Sequence, residues 1–216
     1  MTILEILFSF QDSAYADFQA SLIPGLPREK LIGVRLPQLR RIAKAMEAPG
    51  AFLSALPHTY HDEDMLHALL LSDWQGYEEC ISLIKAFLPH IHNWAVCDSL
   101  RPKCVKPRLP EFLEEVTGFL ASDRLYTRRF GVEMLMVYYP FTPDLLALPA
   151  MLPQKEYYEQ MMVAWYYATA LAKQWEQTIP YLERLPEPTY RKTIQKACES
   201  RRITPQQKAY LRGMTR

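Results

Sequence analysis

The chain has 216 residues, 49% of them hydrophobic and 12% aromatic, with 25 Lys and Arg set against 24 Asp and Glu. That composition excludes a disordered or collagen-like chain and is enough for a sizeable core. A formal charge of +1 excludes binding of polyanions by bulk charge, so the placement of the charges along the chain becomes the question.

Seventeen prolines stand against seven glycines, and the runs 58–88, 111–139 and 154–179 contain no proline. Because proline suits a helix's first turn and disrupts its interior, this pattern reads as helices punctuated at their starts and connectors. The first predicted helix spans 2–21. Leu31-Ile32-Gly33-Val34-Arg35-Leu36 follows, extended in character but with no partner run that carries hairpin turn chemistry. Helices are then predicted over 37–47, 50–56 and 62–73. Tyr77, Cys80, Ile81, Ile84 and Leu88 recur at three- and four-residue steps and predict 76–88, while Asn93 supplies an N-cap for 93–104. Phe112, Leu113, Val116, Phe119 and Leu120 place a helix over 109–121, ahead of others over 123–139 and 142–151. Tyr158, Met161, Met162, Trp165, Ala168, Thr169 and Ala172 define 155–174, and 176–184, 187–199 and 204–213 complete the set. Short helices paired at a spacing near 35–45 residues predict an all-α protein, a curved α-solenoid of stacked antiparallel hairpins in a single domain over 1–216. A compact orthogonal helical array is the alternative arrangement.

The charges are unevenly spread. Between Lys44 and Lys85 there is no cation but there are seven acids, whereas Arg184 to Arg216 carries net +7. Arg101, Lys103, Lys106 and Arg108 form a second basic knot, so an anionic partner is expected to meet the C-terminal half. Cys80, Cys97, Cys104 and Cys198 form no C-x-x-C pair, and the N-terminus lacks the blocks of a secretory signal, which points to a reducing cytoplasm. No apolar run approaches the ~20 residues a membrane span needs, and no heptad seam argues against a monomer.

Three groups of residues could carry chemistry. Trp94 and Asp98 lie at i, i+4 behind Asn93, so they share a helix face. An aromatic face beside a carboxylate suits a cationic ligand and the activation of a water; a core Trp with a surface Asp bound to Arg101 is the plainer reading. Arg128 and Arg129 fall in phase with the apolar stripe Leu125, Val132, Leu135, Met136 and Tyr139. They either emerge into a groove as phosphate or carboxylate ligands, or form structural ion pairs with Asp98, Glu133 or Asp123. Trp165, Tyr166 and Tyr167 cover a wide arc of their helix, so at least one of them reaches a groove or a neighbouring helix. His58, His61, His90 and His92 lack finger spacing and H-E-x-x-H, so no metal is expected, and no phosphate-binding glycine loop or G-x-S-x-G elbow occurs.

The order Gly33-Val34-Arg35-Leu36-Pro37-Gln38-Leu39-Arg40-Arg41-Ile42-Ala43-Lys44, Asp62-Glu63, Asn93-Trp94-x3-Asp98, Tyr126-Thr127-Arg128-Arg129 and then Trp165 resembles the AlkD family of DNA alkylation repair proteins over roughly residues 4–212. The resemblance implies a HEAT-like repeat solenoid whose concave basic groove holds alkylated duplex DNA, and excision of N3- and N7-alkylated purines without a metal or cofactor. By the same resemblance Trp94, Trp165, Asp98 and Arg129 are the catalytic set. Arg128, Arg101, Lys103, Lys192, Lys196, Arg201 and Arg202 are expected on the DNA. The family tends to carry Lys in the helix leading to the second Trp and Trp before the Arg pair; here Glu159-Gln160-Met161-Met162 and Tyr126 stand there. A non-catalytic nucleic-acid binder of the same fold, and a protein-interaction solenoid, are the competing functions.

Overall fold

The computed structural model describes residues 2–214, and every regular element among them is helical. The chain forms two compact units, one ending at Leu109 and the other beginning at Pro110.

The first unit contains α1 (Ile3–Ser9), α2 (Ser13–Leu22), α3 (Leu36–Ala45), α4 (Gly50–Ser54), α5 (His61–Asp73), α6 (Tyr77–Phe87) and α7 (Trp94–Ser99). Its core is organised around α5, which packs against α1, α3, α6 and α7 and buries ten residues, among them Met65, Leu66, Leu70 and Leu71. The helix expected over 2–21 is two helices. Asp12 interrupts it: its Oδ1 accepts the Tyr15 N–H at 2.9 Å and so caps a new helix where the apolar pattern alone would have continued the old one. The helix expected over 93–104 stops at Ser99, with Leu100 extended, and resumes as the 3-10 turn Lys103–Arg108. Pro102 bars continuation of α7, since it has no N–H for the Asp98 carbonyl and its ring would clash there in a helix.

The segment 31–34 is extended and buried but forms no strand. Its backbone donors are taken by one side chain instead. The Asp62 carboxylate, on the first turn of α5, accepts the N–H groups of Ile32 (2.8 Å), Gly33 (3.1 Å) and Val34 (2.6 Å). Burial pushes the Asp62 carboxyl up from its ordinary value, and these three donors pull it the other way. Gly33 is required here: its φ is +87°, and a Cβ would lie 2.3 Å from the Asp12 carbonyl oxygen. Glu63 closes the other side of the α5 start, accepting from the N–H groups of Thr59 (3.1 Å) and Tyr60 (2.9 Å).

The second unit contains α8 (Leu109–Leu120), whose first residue is the last of the first unit, and then α9 (Leu125–Tyr138), α10 (Pro143–Ala150), α11 (Tyr157–Lys173), α12 (Trp175–Leu182), α13 (Glu187–Glu199) and α14 (Pro205–Gly213). Here α11 is central, packing against α9, α10, α12 and α13. The hydroxyls of Tyr166 and Tyr167 fasten it to α10 by donating to the Leu145 and Leu146 carbonyls at 3.0 and 2.5 Å.

Candidate functional site

In the first unit the site begins with a cap. Asn93 is buried, and its Oδ1 accepts the Val96 N–H at 3.1 Å, fixing the start of α7; its Nδ2 lies 3.3 Å from His61 Nδ1. Trp94 is half-buried, and its indole Nε1–H donates to the Leu22 carbonyl at the end of α2 at 3.2 Å. That bond holds the ring at one angle. Asp98 follows one turn later and is likewise half-buried, so α7 carries an aromatic ring and a carboxylate on one face with neither sealed in the core. Nearby, Arg101 is exposed, while Lys103 is paired with Asp73 at 2.5 Å and Arg108 with Glu78.

Histidines cluster on α5 and the segment before it. His58 Nε2 and His67 Nδ1 are 2.8 Å apart, an imidazole-to-imidazole hydrogen bond, and His67 stacks on Phe87 with ring centroids 3.9 Å apart. Burial lowers His58 and His61 to about 4 and His67 to about 3, which keeps all three neutral. They act as hydrogen-bonding aromatics of the core.

In the second unit both arginines of α9 are buried and both grip the first turn of α11. Arg128 Nε bonds Glu159 Oε1 at 2.5 Å, and its Nη1 donates to the Ser122 carbonyl at 2.8 Å. Arg129 Nη1 donates to the Tyr158 carbonyl at 2.7 Å. Arg128 thus forms an ion pair with Glu159, a residue 31 positions away that no local pattern connects to it.

Of the three adjacent aromatics on α11, Tyr166 and Tyr167 are buried and Trp165 is half-exposed. Trp165 lines a cavity of about 340 Å³ together with Ala168, Thr169 and Ala172 of its own helix and Lys196, Ser200 and Arg202. A neighbouring cavity of about 630 Å³ shares Lys196 and Glu199 with it and runs past Met161 and Tyr157. Tyr157, Met161 and Trp165 succeed one another at four-residue steps, as do Pro188, Lys192 and Lys196, so the two cavities form one groove between α11 and α13. Lys192 is held in it: its Nζ donates to Gln160 Oε1 at 3.0 Å and lies 5.5 Å from the Tyr157 ring centroid. Gln160 in turn donates from Nε2 to the Gln154 carbonyl at 2.9 Å. Sequence reasoning identified Trp165, Lys192, Lys196 and Arg202 but missed Tyr157 and Gln160, whose role appears only when α11 and α13 are side by side. Arg201 is exposed next to the groove's end.

A family model described as DNA alkylation repair enzyme matches residues 7–142. The chain belongs to that family. No curated protein matches it. Membership of the DNA alkylation repair enzymes makes this a DNA-directed repair protein, and the matched span takes in Trp94, Asp98, Arg128 and Arg129. Trp165 and the α11–α13 groove lie beyond it. Among the described residues no helix is long and apolar enough to cross a membrane.

Proposed function

We propose that the protein is a monofunctional DNA glycosylase, acting as a monomer on alkylated duplex DNA and hydrolysing the N-glycosidic bond of N3- and N7-alkylated purines. Alkylation at these positions leaves the purine cationic, so it departs as a neutral base while positive charge develops on the sugar as an oxocarbenium ion. Asp98 stabilises that charge electrostatically and orients the water that attacks C1′. The Trp94 face, fixed by the bond to Leu22, lies against the cationic lesion as a π-system that attracts positive charge. The resemblance gives Arg129 the backbone phosphate; in this chain it is buried with its Nη1 on the Tyr158 carbonyl, and with the Arg128–Glu159 pair it braces the start of α11. Lys192, Lys196, Arg201 and Arg202, with Arg101 and Lys103, meet phosphates of the duplex.

The observation that carries this reading is Trp165. An aromatic ring left half-exposed beside Lys196 and Arg202, while the adjacent Tyr166 and Tyr167 are buried, suits a cationic base next to an anionic backbone. The test is single-turnover release of 7-methylguanine from methylated duplex DNA by wild type and by Trp165→Ala. A fall in release with melting temperature unchanged supports the role given to the groove. Equal release by the two proteins removes Trp165 from the mechanism.

A further inference from the structure

The face that carries Trp94 and Asp98 belongs to a helix of six residues, too short to hold its conformation by its own hydrogen bonds. The place of α7 is therefore set from outside, and α5, packed against it, grips it at both ends. At the far end the Ser72 hydroxyl lies 3.1 Å from the Ser99 carbonyl oxygen and accepts the Arg101 N–H at 2.8 Å. At the near end the contact is His61, the first residue of α5, whose Nδ1 is 3.3 Å from Asn93 Nδ2.

The direction of that bond follows from the cap. Asn93 Oδ1 is taken by the Val96 N–H, so the side chain meets His61 with its amide nitrogen, which can only donate. His61 Nδ1 is then the acceptor, and the hydrogen bond assigns the imidazole proton to Nε2. Nε2 is buried and meets no hydrogen-bonding partner among the described residues. His61 is only 2% exposed, so bulk water does not reach that proton either. A buried N–H without an acceptor costs free energy, and an apolar side chain of similar volume would avoid that cost. For packing alone a histidine is a poor choice here; what it adds is one lone pair, aimed at the residue that starts α7. Burial pulls the imidazole down to about 4, so that lone pair stays free of a proton at neutral pH.

We infer that His61 is a positioning residue for the site: acting through Asn93, it fixes the start of α7 and with it the placement of Trp94 and Asp98. Its effect on base release rests on the glycosylase reading; its effect on the place of α7 does not. Without the His61 acceptor the Asn93 amide is free to turn out of the cap. Trp94 is the next residue, so its indole bond to the Leu22 carbonyl shifts as well. Asp98, one turn on, moves relative to the lesion, and a displacement of about 1 Å can slow a reaction by about a hundredfold.

The experiment combines single-turnover release of 7-methylguanine at saturating enzyme, affinity for the same methylated duplex, and NMR spectra in which Trp94 reports through its indole N–H. His61→Leu and His61→Phe both remove the acceptor, the second keeping a ring in place. Each is expected to slow release about tenfold or more with affinity within about twofold of wild type, and to move the Trp94 indole resonance while that of Trp175 stays. His61→Asn sets its Oδ1 close to where Nδ1 stood and returns release to within about threefold of wild type. Asn93→Ser keeps a cap but loses the donor, and adding His61→Leu to it slows release no further, since both changes break one bond. A wild-type rate in His61→Leu and His61→Phe, an equal loss in His61→Asn, or additive losses in the double variant overturn the inference. If the wild type itself releases no base, the glycosylase reading fails instead, and the Trp94 resonance still decides. Movement in His61→Leu but not in His61→Asn supports the positioning role, and no movement overturns it.

Discussion

Asp62 offers the sharpest test of how the first unit is held together. Its carboxylate is the acceptor for three successive backbone donors, at 2.8, 3.1 and 2.6 Å, in a buried segment that has no strand partner. Asp62→Ala leaves three N–H groups without that acceptor, at about 1–3 kcal/mol for each donor that water does not reach, so a total of about 3–6 kcal/mol is expected. Asp62→Asn is nearly the same shape and separates charge from volume. Its Oδ1 still accepts from Gly33 and Val34, but its amide nitrogen faces the Ile32 N–H, donor against donor, for a loss of about 1–3 kcal/mol. At about 2–4 °C per kcal/mol for a chain of this size, Asp62→Ala lowers the melting temperature by roughly 6–24 °C and Asp62→Asn by much less. Thermal unfolding followed by circular dichroism gives the order, and amide exchange at Ile32, Gly33 and Val34 gives the location. Equal melting of Asp62→Ala and wild type, or unchanged protection at those three amides, would refute the assignment of Asp62 as the anchor of the 31–34 segment.

Gly33→Ala is expected to destabilise by more than about 2 kcal/mol, since a left-handed φ is unfavourable for a residue with a Cβ and the added atom meets the Asp12 carbonyl oxygen; urea titration measures it, and wild-type stability would contradict the backbone geometry. Acid should destabilise the fold. With His58, His61 and His67 depressed from 6.5 to about 4, 4 and 3, the unfolded chain binds up to three protons that the folded chain refuses as pH falls below 6.5. Asp64, raised to about 7 by burial, opposes this by holding a proton in the folded state, which leaves one to two net protons and a slope of roughly 1.4 kcal/mol per pH unit for each. Melts from pH 4.5 to 6.5 should show stability rising with pH, less steeply in His67→Gln; a flat profile would mean that these imidazoles titrate normally. Lys196→Gln with Arg202→Gln removes two groove cations and should reduce the slope of log affinity for duplex DNA against log salt by about 1.8, a change that an unaltered slope would rule out.

Much of the helical plan was legible because proline marks where helices begin: Pro37, Pro143, Pro188 and Pro205 all lie in first turns, at or close to the expected boundaries. The two misplaced boundaries have local causes that an apolar pattern hides. Asp12 caps a helix inside a run whose hydrophobic residues continue on both sides, and Pro102 bars continuation of α7 because it has no N–H for the Asp98 carbonyl and would clash with it. The extended character of 31–36 was legible, but its stabilisation was not, because the acceptor lies about 30 positions away on α5.

The candidate site divides the same way. Asn93 reads as a cap from its position alone, and Trp94 and Asp98 share a face by helical geometry. The wide arc of Trp165, Tyr166 and Tyr167 left open which ring leaves the core, and the hydroxyl bonds of the two tyrosines to α10 decide it in favour of Trp165. Arg128 was ambiguous for a different reason. A guanidinium on an apolar stripe has a partner fixed by tertiary packing, and Glu159 has no sequence relation to it that periodicity could reveal.

The most direct test of the central claim is base release by Asp98→Asn, measured together with its affinity for methylated duplex DNA. The account predicts that wild type releases 7-methylguanine and 3-methyladenine, and that the variant binds the same DNA with similar affinity and salt dependence but releases neither. Release by Asp98→Asn at the wild-type rate would contradict the role given to that carboxylate. No release by the wild type, with salt-sensitive binding intact, would make the protein a non-catalytic DNA binder of the same fold.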